Sequence, residues 1–199
     1  MIKNVIFDIG AVLIRFDWKS YVNRLFDEKT AQEVTRATWE NPTWGELDRA
    51  VIPFEEVLKQ FIDTAPEYEQ QIRQVMEHLG ECTERTDYAI PWVEELKDKG
   101  YKVFFLSNYF EYLRNQSPEV LDFIPHMDGG VFSYQIHKVK PHAEIFDYIC
   151  QRYDLRPEES LFIDDSQKNV DGARAFGMHA LLFTTYEQSY PEIMAYLTK

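Results

Sequence analysis

The stretch Val5-Ile6-Phe7-Asp8-Ile9-Gly10, close to the start of the chain, places an acidic residue directly after three apolar ones. A short apolar run of this kind is typical of a strand that is buried on both faces of a parallel sheet. Three more such runs occur, at residues 103–106, 161–163 and 180–183. We therefore predict four parallel strands, the first of which leads into Asp8.

Helical patterns separate these runs, since apolar residues recur three and four positions apart along the chain. The stripes are Trp92, Val93 and Leu96; Ile145, Phe146 and Ile149; and Val170, Ala173 and Phe176. Gly100 and Gly177 follow the first and the third stripe, where glycine favours the end of a helix. Strands that alternate with helices predict an α/β fold with a doubly wound parallel sheet.

Residues 16–85 interrupt this alternation. They carry aromatic and aliphatic residues at helical spacing and show no convincing strand, so a helical insertion is expected. Its apolar residues include Tyr21, Leu25, Phe26, Phe54, Val57, Leu58, Phe61 and Ile62. The predicted division is a core of residues 1–15 and 86–199 and an insertion of residues 16–85.

The composition excludes several classes of partner. The chain has 199 residues and a formal net charge of −13, from 21 basic and 34 acidic side chains. An acidic surface repels nucleic acid and anionic lipid, so we expect neither as a partner. A small anionic substrate remains compatible with this charge, because a lysine and a cation can reverse its sign within one pocket.

The expected compartment is the cytoplasm. No run of 18 apolar residues could span a membrane, and the first residues show no signal-peptide pattern. Cys82 and Cys150 have no metal-binding spacing, and buried free thiols are the favoured interpretation in a reducing compartment. The oligomeric state cannot be read from the sequence.

Polar side chains follow three of the four predicted strands. Ligands of open α/β sheets bind beyond the carboxyl ends of the strands, so these side chains should converge in one crevice. Lys140, which precedes Pro141 and a helical stripe, can join them from a loop. The residues at the strand ends are Asp8, then Ser107 and Asn108, then Asp164 and Asp165.

Three carboxylates near one point predict a cation. Each pair repels by about 4 kcal/mol at ~4 Å if the effective dielectric constant is near 20. Hard oxygen ligands with no nearby histidine or cysteine favour Mg²⁺ over zinc. With Mg²⁺ and Lys140 offsetting the negative charges, Asp8 can attack a phosphate ester and form an aspartyl-phosphate that water later cleaves. Ser107 would donate a hydrogen bond to the phosphate.

These residues resemble the motifs of the haloacid dehalogenase-like hydrolases. The order is that of the family's four motifs, and the resemblance covers essentially the whole chain. It implies a Rossmann-like core, a helical cap inserted after the first motif, and hydrolysis of a small phosphorylated metabolite. The matching stretches are Asp8-Ile9-Gly10-Ala11-Val12-Leu13, Ser107-Asn108, Lys140-Pro141 with Ile145-Phe146, and Asp164-Asp165-Ser166 with Asn169, Gly172-Ala173 and Gly177.

The resemblance also implies the ligands of the metal. They are a carboxylate oxygen of Asp8, the backbone carbonyl of Gly10 and an acid of the fourth motif, with Asp165 favoured as the direct ligand and Asp164 as a second one. The phosphate is expected to contact Ser107, Asn108 and the Gly10 backbone. Within the family, Phe7-Asp8-Ile9-Gly10 and Trp44-Gly45-Glu46-Leu47 resemble the bacterial α-D-glucose-1-phosphate phosphatase subgroup.

Gly10 departs from the family pattern. Phosphatases of the family usually carry a second aspartate at this position, two residues after the nucleophile, as a general acid and base. General acid–base help contributes about 10² to 10⁴ in rate. Its absence predicts a preference for good leaving groups, such as those of anomeric, aryl and acyl phosphates, and slow cleavage of the aspartyl-phosphate. His137 is a candidate replacement, although an exposed loop residue is the favoured interpretation.

Three other functions stay open. In a metal-independent dehalogenase Asp8 would attack carbon, but Asp164 and Asp165 would then repel an anionic substrate. A signalling receiver also uses aspartate, Mg²⁺ and lysine, but its acid pair follows the first strand. A degenerate member could bind a metabolite or protein without turnover, as the missing acid suggests.

Three tryptophans lie in the predicted insertion: Trp18, Trp39 and Trp44. We favour the interpretation that they pack in the interior of the insertion, and stacking on a sugar is the alternative.

Overall fold

A computed structural model describes residues 1–198. They form the strands β1 (Asn4–Phe7), β2 (Ile14–Phe16), β3 (Thr83–Arg85), β4 (Lys102–Ser107), β5 (Gly129–Phe132), β6 (Ser160–Asp164) and β7 (His179–Leu182). The α-helices are α1 (Trp18–Leu25), α2 (Glu28–Ala37), α3 (Trp44–Arg49), α4 (Phe54–Thr64), α5 (Glu69–Glu77), α6 (Ala89–Asp98), α7 (Glu111–Gln116), α8 (Ala143–Tyr153), α9 (Gln167–Phe176) and α10 (Tyr186–Leu197).

Five strands form one parallel sheet in the order β5-β4-β1-β6-β7. The chain builds outward from β1 on one side through β4 and β5, and then on the other side through β6 and β7. The strand order therefore reverses beside β1, and such a switch point opens a crevice at the carboxyl ends of the strands. This architecture confirms the predicted Rossmann-like, doubly wound α/β fold.

The register of the central strands aligns their polar ends. Phe7 of β1 pairs with Phe105 of β4 and with Ile163 of β6. Asp8 and Asp164 follow at the same level, and Ser107 lies one residue further along its own strand. The convergence that the sequence predicts thus follows from the pairing of three neighbouring strands.

Strand β5 was not predicted, because it begins with two glycines instead of an apolar run. Gly129 has a φ of 154°, in the region that favours glycine. A Cβ atom at Gly130 would collide with the ring of Phe105 on the neighbouring strand. Close approach of that aromatic ring requires glycine at this position. Glycine thus stands where an apolar residue would have indicated a strand.

Each face of the sheet is covered by apolar side chains. Helices α8 and α9 cover one face, with Ile145, Phe146, Ile149, Val170 and Ala173 in the same buried cluster as Ile6, Phe104 and Phe162. Helix α6 packs on the other face, with Trp92, Val93 and Leu96 in the cluster of Val5, Phe7 and Ile163. The apolar stripes predicted for these helices are therefore buried against the sheet, and only Phe176 is half-buried.

Helices α1 to α5 occupy the predicted insertion. Their apolar residues belong to the same cluster as one face of the sheet, and they include Tyr21, Val34, Val57, Phe61 and Ile72. The helical segment and this face of the sheet therefore share one hydrophobic interior. The division into a core of 1–15 and 86–199 and a cap of 16–85 stays a prediction.

The prediction of no strand within 16–85 is wrong. Strands β2 and β3 pair antiparallel, so that Ile14 lies opposite Arg85 and Phe16 opposite Thr83. Each has only three residues, and the pair carries the exposed ion pair Arg15–Glu84, with 2.8 Å between nitrogen and oxygen. Strands of three residues are too short for their pattern to identify them in the sequence. Their pairing depends on contact between residues far apart in the chain.

Two further expectations concern the thiols and membranes. Cys82 and Cys150 are buried and free, as predicted. Burial raises the pKa of the Cys82 thiol to about 12 and that of Cys150 to about 11. Among residues 1–198, no helix is both long and apolar enough to cross a bilayer.

Candidate active site

Asp8 lies just beyond β1, in the crevice. Its amide donates to the carbonyl oxygen of Ile163 at 2.8 Å, which extends the pairing of β1 with β6. The carboxylate atom Oδ1 accepts from the Ile9 amide at 2.7 Å and from the Ser107 hydroxyl at 2.8 Å. Within the described chain no group donates to Oδ2. One carboxylate oxygen is thus held in place while the other has no protein partner.

Lys140 bridges two carboxylates. Its Nζ atom is 2.8 Å from Oδ1 of Asp8 and 2.7 Å from Oδ2 of Asp164, and its side chain is fully buried. The two carboxylates hold the pKa of the ammonium above its usual range in spite of burial, which acts to lower it. Lys140 therefore carries its positive charge inside the protein, as the predicted role requires.

Asn108 and Gly172 position the loop that carries Lys140. The Asn108 side chain accepts from the Lys140 amide at 2.8 Å and donates to the Lys140 carbonyl at 3.2 Å. A Cβ atom at Gly172, in α9, would lie 2.5 Å from the carbonyl oxygen of Pro141. The absence of a side chain there lets the loop pack on the helix. Asn108 also lines the crevice, where its predicted contact with phosphate stays a prediction.

Asp164 ends β6 and is completely buried. Its Oδ1 accepts from the Ser166 amide at 2.8 Å and from the Asn169 amide group at 3.0 Å. Its Oδ2 accepts from Lys140 at 2.7 Å and from Asn169 at 3.1 Å. Each oxygen thus has two donors, which stabilise a charge that burial alone would disfavour.

Three carboxylates can share one cation. Asp8, Asp164 and Asp165 each offer an oxygen, and these atoms lie within 4.8 Å of one another. The set contains only hard oxygen donors, which suit Mg²⁺ or Ca²⁺ better than zinc. Asp165 is the exposed member, whereas Asp164 already has four hydrogen bonds. The residues therefore fit Mg²⁺, and direct ligation by Asp165 stays a prediction.

The charge balance also favours a cation. Burial and the charges of Asp164 and Asp165 raise the pKa of Asp8 to about 7 against the opposing effect of Lys140. Burial and the charge of Asp164 likewise raise the pKa of Asp165. Three carboxylates facing a single ammonium leave an excess of negative charge, which a divalent cation would neutralise.

A cavity of 350 Å³ opens above these groups. The core contributes Asp8, Gly10 and Asp165 to its wall, and Gly10 has no described heavy atom within 4 Å of where a Cβ would stand. The helical segment contributes Trp18, Trp44 and Asp48. Helices α1 and α3 therefore form part of the wall of the crevice.

The three tryptophans form a stack inside the helical segment. The ring of Trp39 lies 5.0 Å from that of Trp18 and 5.2 Å from that of Trp44, and Trp44 stacks on Phe61. Trp18 and Trp44 also line the cavity, and stacking of a sugar on them stays a prediction. Trp39 is not among the lining residues.

Asp48 was missed by the sequence reasoning. It lies on α3, and an acid in a six-residue helix next to Glu46 looks like a surface charge. His137, the candidate considered instead, is exposed, and its Nδ1 lies 3.0 Å from the carbonyl oxygen of Arg49. It lines a separate surface depression with Lys138 and His142. The structure therefore places Asp48, not His137, in the cavity that the predicted nucleophile lines.

Removal of the Ser107 hydroxyl tests the arrangement around Asp8. Loss of one oriented donor costs about 10² in rate, so Ser107→Ala is expected to lower kcat by about that factor. Ser160→Ala is the matched control, because that hydroxyl is buried at the opposite end of β6, bonded to the Arg156 carbonyl at 2.8 Å. Steady-state kinetics on an aryl phosphate would compare them. An equal loss in both variants would show that Ser107 acts only through stability.

Comparison with known families matches residues 2–177 to the haloacid dehalogenase-like hydrolases. The match spans most of the chain, so the protein belongs to this family. A D-ribitol-5-phosphate phosphatase from Bacteroides thetaiotaomicron is 28% identical over 185 residues, covering 89% of each chain.

Solved structures show the same fold. A HAD-like hydrolase from Porphyromonas gingivalis matches with a TM-score of 0.76 at 23% identity, covering 100% of this chain and 99% of that one. A family enzyme from Bacteroides thetaiotaomicron, in complex with magnesium and inorganic phosphate, has a TM-score of 0.68 at 19% identity, covering 92% and 95%. A dehalogenase has a TM-score of 0.72 at 16% identity, covering 92% and 85%.

Proposed function

We propose that the protein is a Mg²⁺-dependent phosphatase that hydrolyses small phosphate monoesters through an aspartyl-phosphate on Asp8. The observation that carries this proposal is the meeting of Asp8, Asp164, Asp165 and Lys140 at the carboxyl ends of adjacent strands. A single cavity of 350 Å³ lies over them, a size suited to a small metabolite.

The roles follow from charge and position. Asp8 is the nucleophile, because one of its oxygens is fixed by three donors while the other has no donor among residues 1–198. Lys140 lowers the repulsion between this carboxylate and an incoming phosphate. Asp8, the Gly10 carbonyl, Asp164 and Asp165 would hold Mg²⁺, which supplies positive charge beside the phosphate when it is bound. Ser107 keeps Asp8 in the attacking orientation.

The relatives support the same reaction class. The D-ribitol-5-phosphate phosphatase is similar over nearly its whole length, and a structural neighbour holds magnesium and inorganic phosphate. A phosphorylated small metabolite is the substrate class that fits them. The narrower resemblance to glucose-1-phosphate phosphatases stays a prediction, as do a cytoplasmic location and the exclusion of nucleic acid and membrane surfaces as partners.

Hydrolytic dehalogenation is the competing reaction, since a dehalogenase shares the fold. In that reaction Asp8 would attack carbon without a metal. Asp164 and Asp165 would then add uncompensated negative charge beside an anionic substrate. The acid pair therefore favours the phosphatase.

Dependence on the metal separates the two reactions. We expect no detectable phosphatase activity in excess EDTA and recovery on addition of Mg²⁺, because three carboxylates otherwise face the phosphate. Ca²⁺ should inhibit, since its larger and more flexible coordination shell would misplace the Asp8 oxygen. The assay is phosphate release from a panel of phosphorylated metabolites. Full activity in EDTA would contradict the proposal, and no turnover of any ester with Mg²⁺ would favour a non-catalytic binding protein.

A further inference from the structure

Among the carboxyl groups that line the cavity, Asp48 is the one to which the proposed reaction gives no role. It lies on α3 and lines the same cavity as Asp8, Gly10 and Asp165. The helical segment thus contributes one carboxyl group to the cavity that the nucleophile Asp8 lines.

The Asp48 carboxyl group has no hydrogen-bond donor among residues 1–198, although the residue is half-buried. Burial of an unpaired carboxylate is costly and favours the protonated form. Burial, with the charge of Asp8, raises the pKa of Asp48 to about 7 against the opposing effect of Lys140. Both protonation states are therefore accessible near neutral pH.

The backbone around Asp48 is fastened to the core. The Ser133 hydroxyl donates to the Asp48 carbonyl oxygen at 2.7 Å, and the His137 ring contacts the next carbonyl, that of Arg49, at 3.0 Å. At the start of α3, Trp44 packs edge-on against Phe110, with 5.9 Å between ring centres. Three contacts thus hold a short helix in a fixed position over the crevice.

Gly10 explains why such a group is needed. The position two residues after the nucleophile has no side chain, and its surroundings are open. Neither the core residue at that position nor His137, which lies outside the cavity, can transfer a proton there. We propose that Asp48 is the general acid and base of this hydrolase, supplied by the helical segment in place of a residue after Asp8. The proposal rests on the proposed phosphatase function.

The proton balance closes over two steps. In the first, Asp8 attacks phosphorus, the bond from phosphorus to the ester oxygen breaks, and protonated Asp48 gives its proton to that departing oxygen. In the second, ionised Asp48 takes a proton from water as its oxygen attacks phosphorus. The bond from phosphorus to Asp8 then breaks and releases inorganic phosphate. Asp8 is again ionised and Asp48 is again protonated.

Gly10 by itself predicts a preference for good leaving groups. If Asp48 is the general acid, this preference should appear only when Asp48 is replaced. Asp48→Asn removes the proton donor and leaves the shape of the side chain. We expect kcat/KM for phenyl phosphate, whose leaving group is the more basic of the two aryl esters compared, to fall by about 10² or more, within the range of general acid catalysis. For 4-nitrophenyl phosphate the fall should be smaller by at least tenfold.

The second step provides an independent readout. Without its general base, Asp48→Asn should release a burst of 4-nitrophenol and then turn over slowly. Mass spectrometry of the quenched variant should find the phosphoryl group on Asp8. Glu46→Gln is the control, since it removes a charge from the same helix without lining the cavity. It should show neither the burst nor the altered leaving-group dependence.

Rescue separates chemistry from folding. Gly10→Asp in the Asp48→Asn background should restore much of the rate on phenyl phosphate, because the space at Gly10 is open. If Asp48→Asn lowered the rate only by disturbing the structure, Gly10→Asp would not restore it. If Asp48→Asn lowered both esters equally, with no burst and no rescue, Asp48 would only shape the cavity and this proposal would be overturned. If the wild-type protein hydrolysed neither ester, the phosphatase function would fail as well.

Discussion

Asp8→Asn is expected to abolish turnover of every phosphate ester, because an amide cannot form the acyl-phosphate bond. The fold should survive the change. Asparagine keeps an oxygen that can accept from the Ile9 amide and the Ser107 hydroxyl, which lie 2.7 and 2.8 Å from Asp8 Oδ1. Phosphate release and intact-mass measurement would report turnover and covalent phosphate.

The matched control for this variant is Asp63→Asn, an exposed position on α4. It should leave both activity and thermal unfolding unchanged. A wild-type rate in Asp8→Asn would mean that another residue is the nucleophile. Loss of activity together with loss of the folded state would leave Asp8 with a structural role, and circular dichroism would reveal that outcome.

Lys140→Ala is expected to affect both activity and stability. The ammonium is fully buried between two carboxylates, at 2.8 Å from Asp8 and 2.7 Å from Asp164. Removing one partner of a buried ion pair leaves uncompensated charge and costs about 3–5 kcal/mol of unfolding free energy. Turnover should fall by about 10³ or more, because the ammonium no longer screens Asp8 from the incoming phosphate. Denaturant unfolding and steady-state kinetics measure the two effects.

Mg²⁺ provides a second test of the same charge cluster. In the Lys140→Ala variant three carboxylates lack their ammonium, so Mg²⁺ should raise the unfolding midpoint more than it does in the wild-type protein. Lys138→Ala is the control, since that lysine is exposed and lies two residues away. It should match the wild type in each measurement. Equal stability of Lys140→Ala and the wild type without metal would contradict the ion-pair interpretation.

The sequence determined the architecture and most of the predicted site. Apolar runs of three or four residues that lead into Asp8, Ser107 and Asp164 predict both the parallel strands and the polar groups at their ends. The register of β1 with β4 and β6 then brings those groups together. This prediction succeeds because strand burial and strand ends leave local marks in the chain.

Strands β2, β3 and β5 escaped prediction because their signals are not local. Gly130 is part of a strand only because the Phe105 ring of the neighbouring strand lies against it. Strands β2 and β3 pair across the whole helical segment, as Ile14 with Arg85. In each case the residue type is explained by a neighbour that is distant in the sequence.

The position of Asp48 in the site likewise could not be predicted from the local sequence. In the sequence Asp48 is one acid among 34 acidic residues and lies outside the four motifs. Only the packing of α3 over the crevice, held by Ser133 and Trp44, brings that acid into the cavity that Asp8 lines. The sequence by itself determined the fold class and the groups at the strand ends, because local patterns encode them. The tertiary structure decided which group closes the cavity, because that depends on how two distant segments pack against each other.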